Sequence, residues 1–347
     1  MSSVEKFDNL VEEMFNYLMK QHPIYATYMG LHQFDGDMPE GSRESNLKDI
    51  ESIRHYLSLF VDFPGTDLPR ERSLDRVLAI HGLTLDLFER ESLRFWESIP
   101  EGVNALGDAL FPLIAKDFAP FEIRLDSILQ RIEKSPKYLE ETKSRIKKPV
   151  KLWVEISAES SKNLPHFLDT IISSAKSYNL NTPRLENAVK ELCESLKEYE
   201  DWLYAELLPN SHDEFAVGQK KFDKLLQLRG FEMNSSEILA FGESSIKKEK
   251  MRLKEISKKI DSSASVQQVK TKIKSKHPAS FEDALNIVKQ TVKDAKQFVV
   301  DNGFATIPEG ENLIVMETPS YLKHIIPFAA YFSPARFETS KVGIYIT

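Results

Sequence analysis

The chain has 347 residues, 41% of them hydrophobic and 29% charged, with only 13 glycines, a globular and helix-leaning composition with enough apolar residues for a large core. A formal net charge of −7 argues against nucleic acid or a membrane surface as partner, and a single cysteine, Cys193, excludes an intrachain disulfide and a Cys-based zinc site. No signal-type apolar run accompanies the acidic N-terminal residues Glu5, Asp8, Glu12 and Glu13, and no apolar stretch of about 18 residues occurs, so no membrane span and a cytoplasmic setting are expected.

Helical periodicity dominates. Phe7, Leu10, Val11, Met14 and Leu18 form one stripe and predict a helix over 4–20. Residues 22–42 read as loop-rich, because Pro23 biases His22 away from helix and Gly30, Gly36, Pro39 and Gly41 follow. Helices are predicted over 47–60 and 74–96, with a break at 64–69. Phe121, Leu125, Ile128, Leu129 and Ile132 mark another, which Ser135-Pro136 should interrupt. Thr182-Pro183 reads as an N-cap with proline at the first helical position, ahead of the series Leu185, Leu192, Leu196, Tyr199 and Leu203. The pairs Asn234/Glu237 and Ser280/Asp283 read as caps opening helices over 235–260 and 281–300.

The end of the chain changes character. Residues 313–316 are a strand candidate. A second spans 337–346 and puts Val342, Ile344 and Ile346 on one face, Gly343 and Tyr345 on the other. The two can pair, but two strands alone are marginal and call for a helix layer or a third strand. The expected fold is mainly α with a small C-terminal β element. It forms one large domain over 1–347, with subregions 1–120 and 121–310 and the β element at 311–347.

Motifs that carry chemistry are scarce. No two of the eight histidines stand four apart, so there is no zinc helix of the His-Glu-x-x-His type. His212-Asp213-Glu214 lacks companions and reads as a solvated loop. Cys193 lies in an apolar series and reads as a buried helical thiol. Residues 247–276 hold eleven Lys/Arg against three Asp/Glu. Ile246, Leu253, Ile256 and Ile260 read there as a buried stripe, with the lysines covering the opposite, solvated face. No carboxylate pair stands out as an acid/base couple.

Four stretches carry a resemblance: HPIYATYMGLHQFDGDMP, RLDSILQRIEKSPKYLEETKSRIKKP, LLPNSHDEFAVGQKKFDKLLQLRGFEMNSSEILAFGE and ENLIVMETPSYLKHIIPFAAYFSPARFETSKVGIYIT. Collinear, they resemble the domain-of-unknown-function-885 family of bacteria and archaea, over about 7–347. The resemblance implies a zinc-dependent, carboxypeptidase- or dipeptidase-like peptidase, with a multi-helix array around a deep channel. In that family the zinc motif, of the type His-Glu-x-x-Pro-Gly-His, lies C-terminal to the region matched here. By this likeness the chain is the N-terminal, channel-forming part. It has no metal site or catalytic residue of its own and is inactive alone. Zinc is then implied only for a complete member, from a C-terminal half or second subunit carrying the motif.

The likeness further implies a strand at the cleft rim whose exposed edge pairs with a peptide substrate, with the terminal SKVGIYIT as that rim or its neighbour. Tyr331, Phe337, Gly343 and Tyr345 would line the channel or that rim, with Gly343 allowing close backbone approach and a tyrosine donating to a carbonyl. The rival expectation is a complete, non-catalytic helical protein that binds a peptide or a partner protein.

Overall fold

The computed structural model describes residues 1–326, 328–339 and 341–347; Ser340, at the start of the quoted segment SKVGIYIT, lies outside the described residues. The fold is mainly α: 69% helical, with twelve α-helices and one three-stranded sheet among the described residues. The chain divides into two compact units, Met1–Ala216 with Pro308–Thr347, and Val217–Ile307. Position 120, a subregion limit expected from the sequence, lies within the first unit.

In the first unit, α1 (Ser3–Gln21) starts at a capping box in which Ser2 and Glu5 bond each other's backbone N–H. Residues 22–41 are not all loop, because α2 (Pro23–Met29) occupies their first part. Pro23 forces His22 out of helix, ending α1, and its own fixed φ suits the first position of a new helix. Gly30, at φ 88°, closes α2 in the left-handed region. α3 (Arg43–Asp62) and α4 (Arg70–Phe88) pack with α1 around Phe7, Ile53, Tyr56 and Phe60. α4 ends short of the predicted 96. A π turn over Glu89–Leu93 precedes Arg94 at φ 54°, whose guanidinium, with that of Arg43, pairs the buried Glu97.

The larger core lies around α5 (Gly102–Ala115), α6 (Phe121–Lys143), α7 (Lys151–Ser177) and α8 (Pro183–Trp202). α5 was not expected: its sequence GVNALGDALFPLIA is apolar apart from Asn104 and Asp108, too narrow a polar face to read as amphipathic, and most of the helix is buried. α6 runs unbroken through Pro136. The helix is held on both sides of the proline by buried Ile128, Arg131, Ile132, Tyr138 and Leu139, and that packing outweighs one lost backbone bond. Thr182 precedes α8, but its hydroxyl bonds the Glu186 carboxylate instead of capping the backbone.

The N-terminal motif is folded around one residue of α6. Arg131 is fully buried and donates to the carbonyls of Pro23, Phe34, Asp37 and Ala109 and to Thr27 Oγ1, which in turn donates to Asp35 at 2.7 Å. Burial lowers its pKa to about 10, so it stays charged at neutral pH.

The sheet has the order β1–β3–β2, from β1 (Asn312–Met316), β2 (Ala330–Phe332) and β3 (Val342–Ile346). The expected pair forms, in parallel, and the third strand comes from the segment between them. β3 is therefore the central strand, paired on both edges; it is not itself an open edge but the neighbour of one. Ile344 and Ile346 enter the helical core, which fixes the register.

The second unit holds α9 (Gln219–Leu228), α10 (Ser235–Ile260), α11 (Val266–Lys274) and α12 (Phe281–Asp301). Asn234 with Glu237 forms the predicted capping box, and Ser280 caps α12 through the Asp283 N–H. The stripe predicted to be buried on α10 is not: Ile246 is 56% and Ile260 52% exposed, with Leu253 and Ile256 exposed as well. α12 has no buried residue at all.

Candidate functional site

The sequence Met316-Glu317-Thr318-Pro319-Ser320-Tyr321 carries β1 off the sheet and onto the helices. Thr318 N–H donates to Thr347 O at 3.0 Å, and Ser320 Oγ donates to Asn163 O at 3.1 Å. Tyr321 is fully buried, its ring against Phe167 and over Gly107, where an added Cβ would come within 2.2 Å of the ring. Glycine at 107 is thus a requirement of close approach.

Beside this turn lies a cavity of about 490 Å³. Phe111 and Ile114 of α5, Phe167 of α7 and Met316 form its apolar wall. His166, Thr170 and Ser174, one face of α7, and Glu317, Ser320 and Lys323 form its polar part. Lys323 is ion-paired with Glu317, and Thr170 and Ser174 return their hydroxyls to carbonyls of their own helix. The size suits a ligand group, and the wall suits an apolar or aromatic one. Met316, the last residue of β1, lines the cavity and no residue of β3 or β2 does, so the cavity lies at the end of the strand on the outer side of the sheet.

That outer side is an open edge. In a parallel ladder alternate residues face the same neighbour. Asn312 N–H donates to Lys341 O and Met316 O accepts from Thr347 N–H, both at 3.1 Å. The even-numbered residues of β1 therefore face β3, and Leu313, Val315 and Glu317 turn N–H and C=O outward, where no strand is paired among the described residues.

The residues expected to line the channel or the rim divide. Tyr331 and Tyr345 are register partners, and an added Cβ at Gly343 would lie 2.8 Å from the Tyr331 ring. The three share the sheet face opposite Ile344 and Ile346. The space above Gly343 is occupied by the Tyr331 ring, which the absence of a side chain at 343 admits. Phe337 is elsewhere: its N–H donates to Met29 O at 2.9 Å and its ring meets Phe15 edge-on. None of the four lines the cavity.

No group of three or more His, Cys, Asp or Glu side chains is placed to hold a metal among the described residues. His212 is fixed by its backbone, to Pro149 O and from Lys151 N–H, in a bridge with Val150. Cys193 packs partly buried on the core, and burial raises its thiol pKa. No helix is long and apolar enough to cross a membrane among the described residues.

One functional candidate escaped the sequence reading. Tyr321 OH donates to Asp108 Oδ1 at 3.2 Å, and burial pushes the Asp108 carboxyl up to about 6. The signal was present: Asp108 is the one charged residue in the fourteen of α5.

The profile of a family described as "Bacterial protein of unknown function (DUF885)" matches residues 23–347, and the chain belongs to that family. No curated protein matches it. Among solved structures it is similar to a candidate lipoprotein of unknown function from Shewanella oneidensis, at TM-score 0.69 and 17% identity over 98% of this chain. It is also similar to a candidate lipoprotein from Colwellia psychrerythraea, at TM-score 0.68 and 14% identity over 100% of this chain. The chain spans 64% and 67% of the length of those two proteins. At these identities the likeness is one of fold.

Proposed function

We propose that this member of the family binds an extended peptide along the outer edge of β1, with one apolar side chain of the peptide seated in the cavity at Phe111, Phe167 and Met316. The observation that carries the reading is the conjunction of an unpaired strand edge with a cavity at its end. Main-chain hydrogen bonds to an open edge give affinity, and a pocket for alternate side chains gives selectivity. Tyr331, Gly343 and Tyr345 belong to the neighbouring strands and would act by holding β3 and β2 in place beside the bound peptide.

In this reading the chain is the substrate-binding part of a zinc peptidase-like protein. The described residues do not fit a zinc ion, so the ligands would come from another segment or subunit, and no hydrolytic step is assigned to this chain.

The test uses fluorescent peptides with one aromatic residue, titrated into the chain and read by polarisation. Thr170→Trp fills the cavity from an exposed position on α7, and Leu313→Pro deletes one outward N–H from an edge where proline is tolerated. Each should weaken binding by about tenfold. Equal binding by both variants, or no saturable binding by the parent chain, overturns the reading. Chelator-sensitive peptide hydrolysis by the chain alone would show that its own residues hold the metal.

A further inference from the structure

A second cavity, of about 380 Å³, lies beside α2 and is independent of the peptide reading. Its wall includes His22, Tyr25, Tyr28, Arg90 and Asp108. Arg90, the cation on that wall, and His22, whose pKa burial lowers, already have partners. Arg90 Nε donates to Asp86 Oδ1 at 2.8 Å, and its Nη1 is 3.5 Å from Asp49 Oδ2. His22 Nε2 is 3.9 Å from the same Asp49 oxygen.

Asp108 is different. Its hydrogen bond comes from a neutral group, the hydroxyl of Tyr321, and it has no ion pair among the described residues. The charge that bears most on it after desolvation is that of Glu101, of the same sign. A carboxylate withdrawn from water without a counter-ion is a cost to the fold, and such groups concentrate where a ligand completes them. The aromatic rings next to it point to the sign and character of that ligand. Tyr25 is 54% exposed at the pocket, and Tyr28, stacked on Phe332, has its phenol pKa pushed up by burial and by the nearby Asp108 carboxylate. Aromatic faces beside one uncompensated carboxylate are suited to a cation with an apolar body.

We propose that this pocket binds a small organic ammonium ion, its nitrogen against Asp108 and its apolar body against Tyr25 and Tyr28. The volume admits one compact amine and not a folded partner. The cavity near α7 plays no part in it, so loss of one activity does not entail loss of the other.

The experiment titrates the full chain with benzylamine and, separately, with benzyl alcohol, which has a similar shape and no charge, by calorimetry at pH 7.5. Benzylamine should bind saturably and at least about tenfold more tightly than the alcohol. Asp108→Asn keeps an acceptor for Tyr321 OH and should fold, yet lose at least about tenfold in benzylamine affinity. Tyr25→Ala, at an exposed ring, should lose about threefold. Equal affinity for amine and alcohol, undiminished binding by a folded Asp108→Asn chain, or no saturable binding of benzylamine overturns the assignment. If Asp108→Asn does not fold, the amine–alcohol comparison and Tyr25→Ala still decide it.

Discussion

α6 in the first unit and α10 in the second have the same kind of sequence, an apolar stripe at helical spacing with charges on the other side. Their outcomes are opposite. Ile128 and Ile132 of α6 are fully buried, whereas Ile246 and Ile260 of α10 are more than half exposed. Charge divides along the same boundary: residues 217–307 carry 18 Lys/Arg against 11 Asp/Glu, and the rest of the chain 28 against 42. Periodicity states which face of a helix is apolar. It does not state that the chain supplies what covers that face. The first unit should accordingly behave as a packed cooperative core, and the second as a set of helices held by caps and few buried side chains.

The sharpest way to break this comparison is to remove Arg131. In Arg131→Ala four carbonyls lose a charged donor in a buried site, and the N-terminal motif loses its anchor on α6. A loss of about 3–5 kcal/mol is expected in the first unit. All three tryptophans, Trp96, Trp153 and Trp202, lie in that unit, so urea unfolding followed by their fluorescence reports it alone, while far-ultraviolet circular dichroism reports both units. The fluorescence midpoint should fall, and a dichroism component from the second unit should stay in place. A joint shift of both signals would mean that the units unfold as one.

Asp108→Asn should act on the same unit with the opposite sign. The folded-state pKa of Asp108 is raised, to about 6 from an ordinary 3.8. The folded state therefore keeps a proton that the unfolded chain has released between those values. Stability falls as pH rises through that window, and the full cost is present above about pH 6. Asparagine removes the cost, so the variant should be more stable by about 2 kcal/mol at pH 7 and show no advantage below about pH 4. A gain that is the same at pH 4 and pH 7 would mean that the charge of Asp108 is not its source. A gain in stability accompanied by lost amine binding would be the ordinary exchange between a strained site and its function.

The parts legible in the sequence were those set by local chemistry. The capping box at Asn234 and the cap at Ser280 fixed the starts of α10 and α12, and two C-terminal strands were visible from their alternation. The parts missed depend on tertiary surroundings. α5 shows only the narrow polar face of Asn104 and Asp108, and Pro136 passes inside α6 because packing on both sides outweighs its own preference. The central place of β3 rests on β2, three residues whose pairing is not written in their own pattern. The cavity beside β1 joins residues 111–114, 166–174 and 316–323, a juxtaposition created only when α5, α7 and the end of the sheet meet.

The smallest expected effect concerns the second unit and tests the comparison from its other side. Ile246→Gln and Phe298→Gln replace apolar groups on α10 and α12 that are 56% and 59% exposed. Glutamine is as good a helix former as the residues it replaces, and little buried area is given up, so the double variant should change the stability of the second unit by no more than about 0.5 kcal/mol. Its binding of a hydrophobic dye should fall, because the apolar surface itself has been reduced. A destabilisation of about 2 kcal/mol or more would instead mean that these faces are covered in solution. If that loss grew on dilution, the cover would be a second copy of the chain, since stability supplied by association depends on protomer concentration. If it did not, the cover would lie within the same chain, and the contrast between α6 and α10 would be one of degree.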